Sequence, residues 1–224
     1  MKLLIFGATG VVGSWTARKA IENGHEVTLH VRDKSRVAED IRSSSQVRII
    51  EGTLSDEPSL SAAIRNQDAI LSSLGPTGFT GFTGVFTNGY KLILRLMREH
   101  NVSRILAMST ISAYDTARDS FSLYRTFIFW VVFVLAHAVQ REILGLENVF
   151  REEGEGLEWT LYRVGGLGNA RDADGVAEAG WVGDGKWRQF VERREWANWM
   201  VQEAERERPM WVRKMPAIYS AKKK

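Results

Sequence analysis

The sequence predicts an α/β fold, a doubly wound parallel sheet with helices on both faces, on three observations. The apolar opening Met1-Lys-Leu-Leu-Ile-Phe runs into glycines spaced Gly7-x-x-Gly10-x-x-Gly13 and then into a helix-forming stretch from Ser14 to Gly24. Short apolar runs then alternate with helical stretches as far as Ser109, the pattern of successive βα units. No linker or change of composition divides the 224 residues, so one domain is expected over 1–224, with a core of about 1–168 and a C-terminal elaboration over 169–224.

The glycine-rich opening carries the chemistry. Glycine is needed where a turn requires positive φ, where backbone approaches a phosphate without a Cβ, and where a helix packs closely on its strand. The unpaired N–H groups and positive dipole end of the following helix then face an anion. Strand, turn and helix in this order predict a Rossmann-like dinucleotide site formed by Gly7, Thr9, Gly10, Val11, Val12 and Gly13.

A second strand, Glu26 to Val31, ends in Arg32-Asp33-Lys34. About 20 residues beyond the glycines such a fold meets the adenosine ribose, where an acid favours the free hydroxyl and an arginine the 2′-phosphate. Arg32 stands 19 positions after Gly13, which favours NADP(H), with Lys34 in support. A shift of one residue puts the carboxylate of Asp33 on the ribose instead and favours NAD. The structural alternative for Arg32 and Lys34 is a solvated basic turn.

The remaining elements follow in order. A helical piece over 35–43 precedes a third strand, Val47 to Ile50, and the loop Glu51 to Asp56, whose Thr53 and Leu54 lie where a strand's carboxyl end meets ligand. Pro58 opens a helix to about Asn66, and Asp68 to Leu74 is a fourth strand closed by Gly75-Pro76. The repeated Gly-Phe-Thr of 77–84 reads as a glycine-rich loop over the crevice, with Phe79 and Phe82 either closing it or serving as a plain connector. A helix over 85–100 and a fifth strand, Arg104 to Ser109, complete the regular alternation. Beyond it come an irregular loop over 110–122, helix within 123–153, and a sixth strand, Leu157 to Tyr162. Loop or hairpin follows over 169–187, then a closing helix of about 192–208 and an edge strand within 210–219.

The totals exclude several functions. A formal charge of +3, with much of the basic excess in the last residues, gives no case for nucleic acid despite a pI near 9.2. The absence of cysteine removes thiolate metal sites, disulfides and thiol nucleophiles, and His25, His30, His100 and His137 have no paired ligand spacing, so no metal is expected. Met1 leads directly into the first strand, leaving no room for a signal peptide, and the expected setting is cytoplasmic. Phe127 to Ala136 is apolar without a break, but ten residues fall short of the roughly 20 of a spanning helix. A buried helix is the expectation, with a wall for an apolar substrate, a face for a second copy in a homodimer, or a patch resting on a membrane or partner as alternatives.

Taken together, Gly7-Ala-Thr-Gly10-Val-Val-Gly13, Val31-Arg32-Asp33, Gly52-Thr-Leu-Ser-Asp56, Asp68-Ala-Ile-Leu-Ser-Ser-Leu-Gly75 and Gly156-Leu-Glu-Trp-Thr-Leu-Tyr-Arg163 resemble the atypical short-chain dehydrogenase/reductases. The nearest branch is the NmrA-like and flavin or biliverdin reductase-like NAD(P)-binding proteins, and the start of the closing helix, Arg193-Arg-Glu-Trp-Ala197, is similar too. The aromatic richness is similar to that of small fungal members that accompany polyketide or terpenoid pathways. The resemblance implies NADP(H) held also by Leu74, Gly75, Arg163 and Val164. Three departures stand out. Gly52-Thr53 replaces the family's usual Gly-Asp, Arg163-Val164-Gly165 replaces Arg-Pro-Gly, and no Tyr-x-x-x-Lys is present, Tyr124 being followed four residues later by Ile128.

Three functions remain open. An oxidoreductase acting on a small, fairly apolar metabolite uses Ser109, where the superfamily's catalytic serine is found, with Tyr114 or His137 supplying the proton. A non-redox cyclase, isomerase or dehydratase of the same fold uses His137, Asp115, Tyr114 or Glu142 in an apolar pocket walled by Phe79, Phe82, Trp130 and Trp181. A cofactor-sensing regulator binds dinucleotide without turnover.

Overall fold

β1 (Lys2–Phe6) is the strand on which the sheet is laid out, with parallel partners on both sides. The computed structural model describes residues 1–75, 84–135, 137–169 and 175–221; the side chains of 128, 132, 133, 135 and 137–139 lie outside that description, as do Phe79 and Phe82. β2 (Glu26–Val31) pairs with β1 on one edge and β4 (Ala69–Ser72) on the other, so that Leu3 faces both Val27 and Ala69. β3 (Val47–Glu51) lies outside β2, while β5 (Arg104–Thr110) and β6 (Glu158–Val164) continue beyond β4. The order β3-β2-β1-β4-β5-β6 reverses its winding between β1 and β4, and the crevice outside the carboxyl ends of these two strands is where such sheets bind ligands.

Side-chain alternation assigns the two faces. Leu3 and Ile5 turn with Leu29, Leu71 and Leu106 toward α1 (Val11–Glu22) and α7 (Arg193–Glu205). Leu4 and Phe6 turn with Ile70, Ile105 and Leu161 toward α3 (Glu57–Ile64), α4 (Val85–Glu99) and α6 (His137–Glu153). With both faces covered, the strands read as nearly continuous apolar runs. α1 stops at Asn23 because Gly24 takes φ +79°, and α3 starts where the Asp56 side chain accepts the Ser59 N–H.

Three expectations are corrected. The helical piece over 35–43 is a 3-10 turn, Lys34–Arg36, and a four-residue α2 (Glu39–Arg42), because Val37 is extended between them. The strand near the chain's end, β10 (Ala217–Tyr219), is no edge: it lies between β6 and the antiparallel β8 (Glu178–Gly180). The segment before β10 is already tied to β6, Leu161 N donating to Lys214 O and Arg163 N to Pro216 O (3.1 and 2.7 Å). A separate parallel pair joins β7 (Gly166–Gly168) to β9 (Phe190–Glu192). Finally, the apolar run belongs to α5 (Leu123–Leu135), which leaves Phe127, Trp130 and Val134 exposed by 63, 57 and 71%. The helix packs beside α6 and through Tyr124 on Trp187, and its exposed residues fall on one side.

A buried ion pair fastens the C-terminal strands to the loop after β5. Arg163, fully buried at the carboxyl end of β6, grips Asp119 with both terminal nitrogens and donates Nε to Met215 O (2.7 Å) and one terminal nitrogen to Ala113 O (3.0 Å). Asp119 also accepts the N–H groups of Asp115 and Val182 at 3.1 and 3.0 Å. Removing one partner leaves an uncompensated buried charge, so Asp119→Ala is expected to lower stability by about 3 to 5 kcal/mol. Arg163→Met combined with Asp119→Leu is expected to cost much less than the sum of the single changes. Urea unfolding followed by circular dichroism measures both.

Candidate functional site

The turn from β1 into α1 is built to hold backbone close to a ligand. Gly7 takes φ +83°, and a Cβ there would stand 2.8 Å from Ser73 Oγ at the end of β4. A Cβ on Gly13 would run into the Gly7 carbonyl and come within 2.8 Å of Ala8 N. Gly10 N donates to Gly7 O, and the first helical bond is Ser14 N to Gly10 O, both 2.9 Å. Gly10 supplies no side-chain cap, so the first-turn N–H groups, with Thr9 half-buried and Val11 exposed beside them, are open to an anion. Val12 points into the core instead. The cradle fits a pyrophosphate.

The residues after β2 divide into one open cation and two engaged neighbours. Arg32 is exposed and makes no ion pair among the described residues. Asp33 turns its carboxylate onto its own 3-10 turn, accepting Ser35 N (2.9 Å) and Ser35 Oγ (2.6 Å), bonds that hold its pKa below the usual carboxylate value. Lys34 is tied to Glu51: its N–H donates at 2.9 Å and its Nζ stands 3.4 Å away.

The loop after β3 is set by Gly52, where a Cβ would strike Ser59 and approach His30 Nε2 to 2.9 Å. Ser59 Oγ meets that nitrogen at 3.0 Å, and burial lowers the His30 pKa. Thr53 is exposed, with Oγ1 3.0 Å from Ser55 Oγ. Leu54 is half-buried against α4, which approaches it at Gly89.

The carboxyl ends of β4 and β5 enclose an apolar cavity of about 30 Å³, lined by Leu74, Gly75, Phe86, Met108, Ile143 and Leu146. Ser109, Tyr90 and Glu142 also line it. Ser109 is 2% exposed, and its Oγ has no hydrogen-bond partner among the described residues. Tyr90 presents a phenol 2.6 Å from Ser72 Oγ, and burial raises its pKa well above the usual phenol range, so it keeps its proton. A larger polar groove of about 360 Å³ lies at the opposite, amino ends of the strands, around Lys2, Arg48 and Arg65, remote from the glycine turn.

Several expected site residues have structural work instead. Arg163 does not offer its guanidinium to a cofactor, because all its nitrogens are bonded inside the protein, and Val164 is buried in the core. Tyr114 is not among the residues lining the Ser109 cavity: its hydroxyl donates to Asp119 O (3.2 Å), and Arg125 stacks 4.0 Å from its ring centre. Asp115 holds a turn, accepting Ala117 N at 3.2 Å. Trp181 packs on Trp211 and under Arg118. Glu142 reaches the cavity as a helix cap, its carboxylate accepting the N–H groups of Gly84, Phe86 and Thr87 and the Thr87 hydroxyl. His137 begins α6, and its side chain lies outside the described residues.

Tyr90 and the capping role of Glu142 were missed from sequence. Tyr90 sits within the leucine-rich pattern of α4 and reads as core, although its hydroxyl requires a partner such as Ser72. Helix α4 starts after Gly84 with no side-chain cap of its own, a deficit that only a residue distant in sequence satisfies.

This geometry defines an NAD(P)-binding α/β protein, and the comparisons specify it further. A model of the NAD(P)H-binding family matches residues 7–207. The chain belongs to that family, within the atypical short-chain dehydrogenase/reductases. A phenylcoumaran benzylic ether reductase of Pinus taeda is 30% identical over 82 residues, 33% of this chain and 26% of that enzyme. The chloroplast protein TIC 62 of Oryza sativa subsp. japonica is 23% identical over 188 residues, 76% of this chain and 36% of that protein. This chain thus spans only about a quarter to a third of these relatives. Among solved structures, a short-chain dehydrogenase/reductase of Veillonella parvula in complex with NADP superposes with a TM-score of 0.75 at 17% identity, covering 98% of this chain and 94% of that one. An anaerobilin reductase of Escherichia coli superposes with a TM-score of 0.73 at 20% identity, covering 100 and 99%.

Because the Gly13 position has no room for a methyl group, Gly13→Ala is expected to weaken dinucleotide binding at least about tenfold and to lower stability by about 1 to 3 kcal/mol. Cofactor titration by calorimetry and urea unfolding read the two effects separately.

Proposed function

We propose that the protein is an NADP-dependent reductase or dehydrogenase of a small, fairly apolar metabolite. The observation that carries this reading is the Ser109 hydroxyl, buried without a partner among the described residues at the carboxyl end of β5 and facing an apolar cavity beside Gly75. A buried polar group in want of a hydrogen bond suits a substrate carbonyl oxygen, to which Ser109 donates. Leu74, Phe86, Met108, Ile143 and Leu146 give it an apolar surround. Tyr90 is the phenol among the described lining residues, and its retained proton fits a donor role rather than that of a base. The dinucleotide, when bound, supplies or accepts the hydride.

Arg32 supports the phosphorylated cofactor. Asp33 directs its carboxylate to Ser35 and Lys34 is paired with Glu51, which leaves the Arg32 guanidinium as the group suited to a 2′-phosphate. The NADP complex of the structurally similar Veillonella parvula protein supports this choice. A second reading, a non-redox enzyme of the same fold, draws on the missing Tyr-x-x-x-Lys and on Tyr114 being turned toward Asp119.

Tryptophan-quenching titration is expected to show tighter binding of NADPH than of NADH, and Arg32→Ala to erase roughly 1 to 3 kcal/mol of that preference. Ser109→Ala is expected to leave NADPH affinity within about twofold while lowering turnover of carbonyl substrates by about 10²-fold or more. Conversion of a carbonyl-bearing metabolite without change in NADPH absorbance would favour the non-redox reading.

A further inference from the structure

We propose that α5 and the segment leading into it dock this protein on an anionic lipid surface. Leu123, Phe127, Trp130 and Val134 are spaced by four, three and four residues, so they form one stripe along the helix. Each is at least 57% exposed, and Phe121, just before the helix, is 73% exposed. Large apolar side chains gathered in this way, with aromatic rings prominent, mark an interaction surface rather than ordinary solvent exposure. A helix of 13 residues is about 20 Å long, too short to cross a bilayer but long enough to lie in its interface.

The charges around the stripe choose the occupant. Residues 120–141 contain no aspartate or glutamate. The carboxylates bordering that segment point inward: Asp115 into its turn, Asp119 onto Arg163 and Glu142 onto the start of α4. Arg125, the cation within α5, is turned onto the Tyr114 ring, whereas the cations on either side of the helix are exposed. Arg118 is exposed before α5, and Arg141 is exposed on α6. Exposed Lys186 and Arg188 flank Trp187, which packs on Tyr124 in the first turn of α5. The carboxylate of that loop, Asp184, accepts the N–H groups of Trp181, Lys186 and Trp187. An apolar aromatic stripe in a stretch whose exposed charges are cationic matches the acyl and headgroup layers of an anionic membrane.

A second copy fits less well. Among the described residues of 118–141 the exposed charges are Arg118 and Arg141, so two copies would bring only like charges from this stretch to a shared interface, with no carboxylate from residues 120–141 to offset them.

Flotation with vesicles of phosphatidylcholine, with and without phosphatidylserine, tests the proposal. Wild type is expected to float with the phosphatidylserine vesicles, to be released by added salt, and to bind pure phosphatidylcholine weakly. Phe127→Ser with Trp130→Ser is expected to reduce binding at least about tenfold, and Arg141→Glu alone, at an exposed site that does not threaten folding, by roughly fivefold on anionic vesicles only. Circular dichroism and NADPH titration verify that the variants stay folded. Binding that ignores phosphatidylserine, or no binding at all, overturns the proposal. So does a dimer in sedimentation equilibrium that the serine substitutions dissociate, which would assign the stripe to a second copy.

Discussion

The α-carbon of Gly13 lies so close to the Gly7 carbonyl that no side chain fits between them, and the placement of the crevice depends on that contact. It presses the start of α1 onto the end of β1, beside β4, where the sheet reverses its winding. It also fixes α1 against α7. Near the start of the two helices, Trp15 lies between Arg18 and Arg194, at 5.1 and 4.8 Å. At their other end, Asn23 and His25 both meet Glu205 at 2.6 Å. The two helices therefore run side by side, and the first turn of α7 and β9 are carried to the same end of the sheet as the glycine turn.

Ser109 and Arg163 show how polar residues at neighbouring strand ends acquire different roles. Both are buried, and their strands pair with Ser109 opposite Arg163. The guanidinium has its partners supplied by Asp119, Ala113 and Met215, which offsets a desolvation cost of several kcal/mol. The hydroxyl has no partner among the described residues, a deficit of about 1 to 3 kcal/mol for a buried polar group. The completed set joins loop to strand, whereas the incomplete one leaves a hydrogen bond for a ligand to make. The residue type did not distinguish these fates; the count of partners did.

The sheet and its glycine turn were legible in the sequence because they rest on local rules. Strand alternation, Asn23-Gly24 as a stop and Asp56 with Pro58 as a start each act within a few residues. What sequence reading misjudged depends on contacts between distant residues. Arg163 follows a strand as a cofactor residue does, yet Asp119 meets it from 44 positions away. Glu142 carries the chemistry of a general acid, but α4 lacks a cap and binds it across 55 positions at Thr87. The apolar run of α5 reads as core because hydropathy alone cannot report that Leu123, Phe127, Trp130 and Val134 stand exposed. Within the cofactor site the turn was legible, whereas the engagement of Asp33 and Lys34 required coordinates.

The insertion of β10 between β6 and β8 also orders events during synthesis. Its residues, Ala217–Tyr219, emerge after those of every other strand described, and β8, made some 40 residues earlier, has no place in the sheet until they arrive. A nascent chain that has already assembled β1 to β6 therefore carries an unfinished edge on β6, the kind of edge that pairs with strangers. Closure of that edge rests on a pairing between segments about 50 residues apart rather than on any local preference. That edge stays open until the last strand, β10, is zipped between β6 and β8.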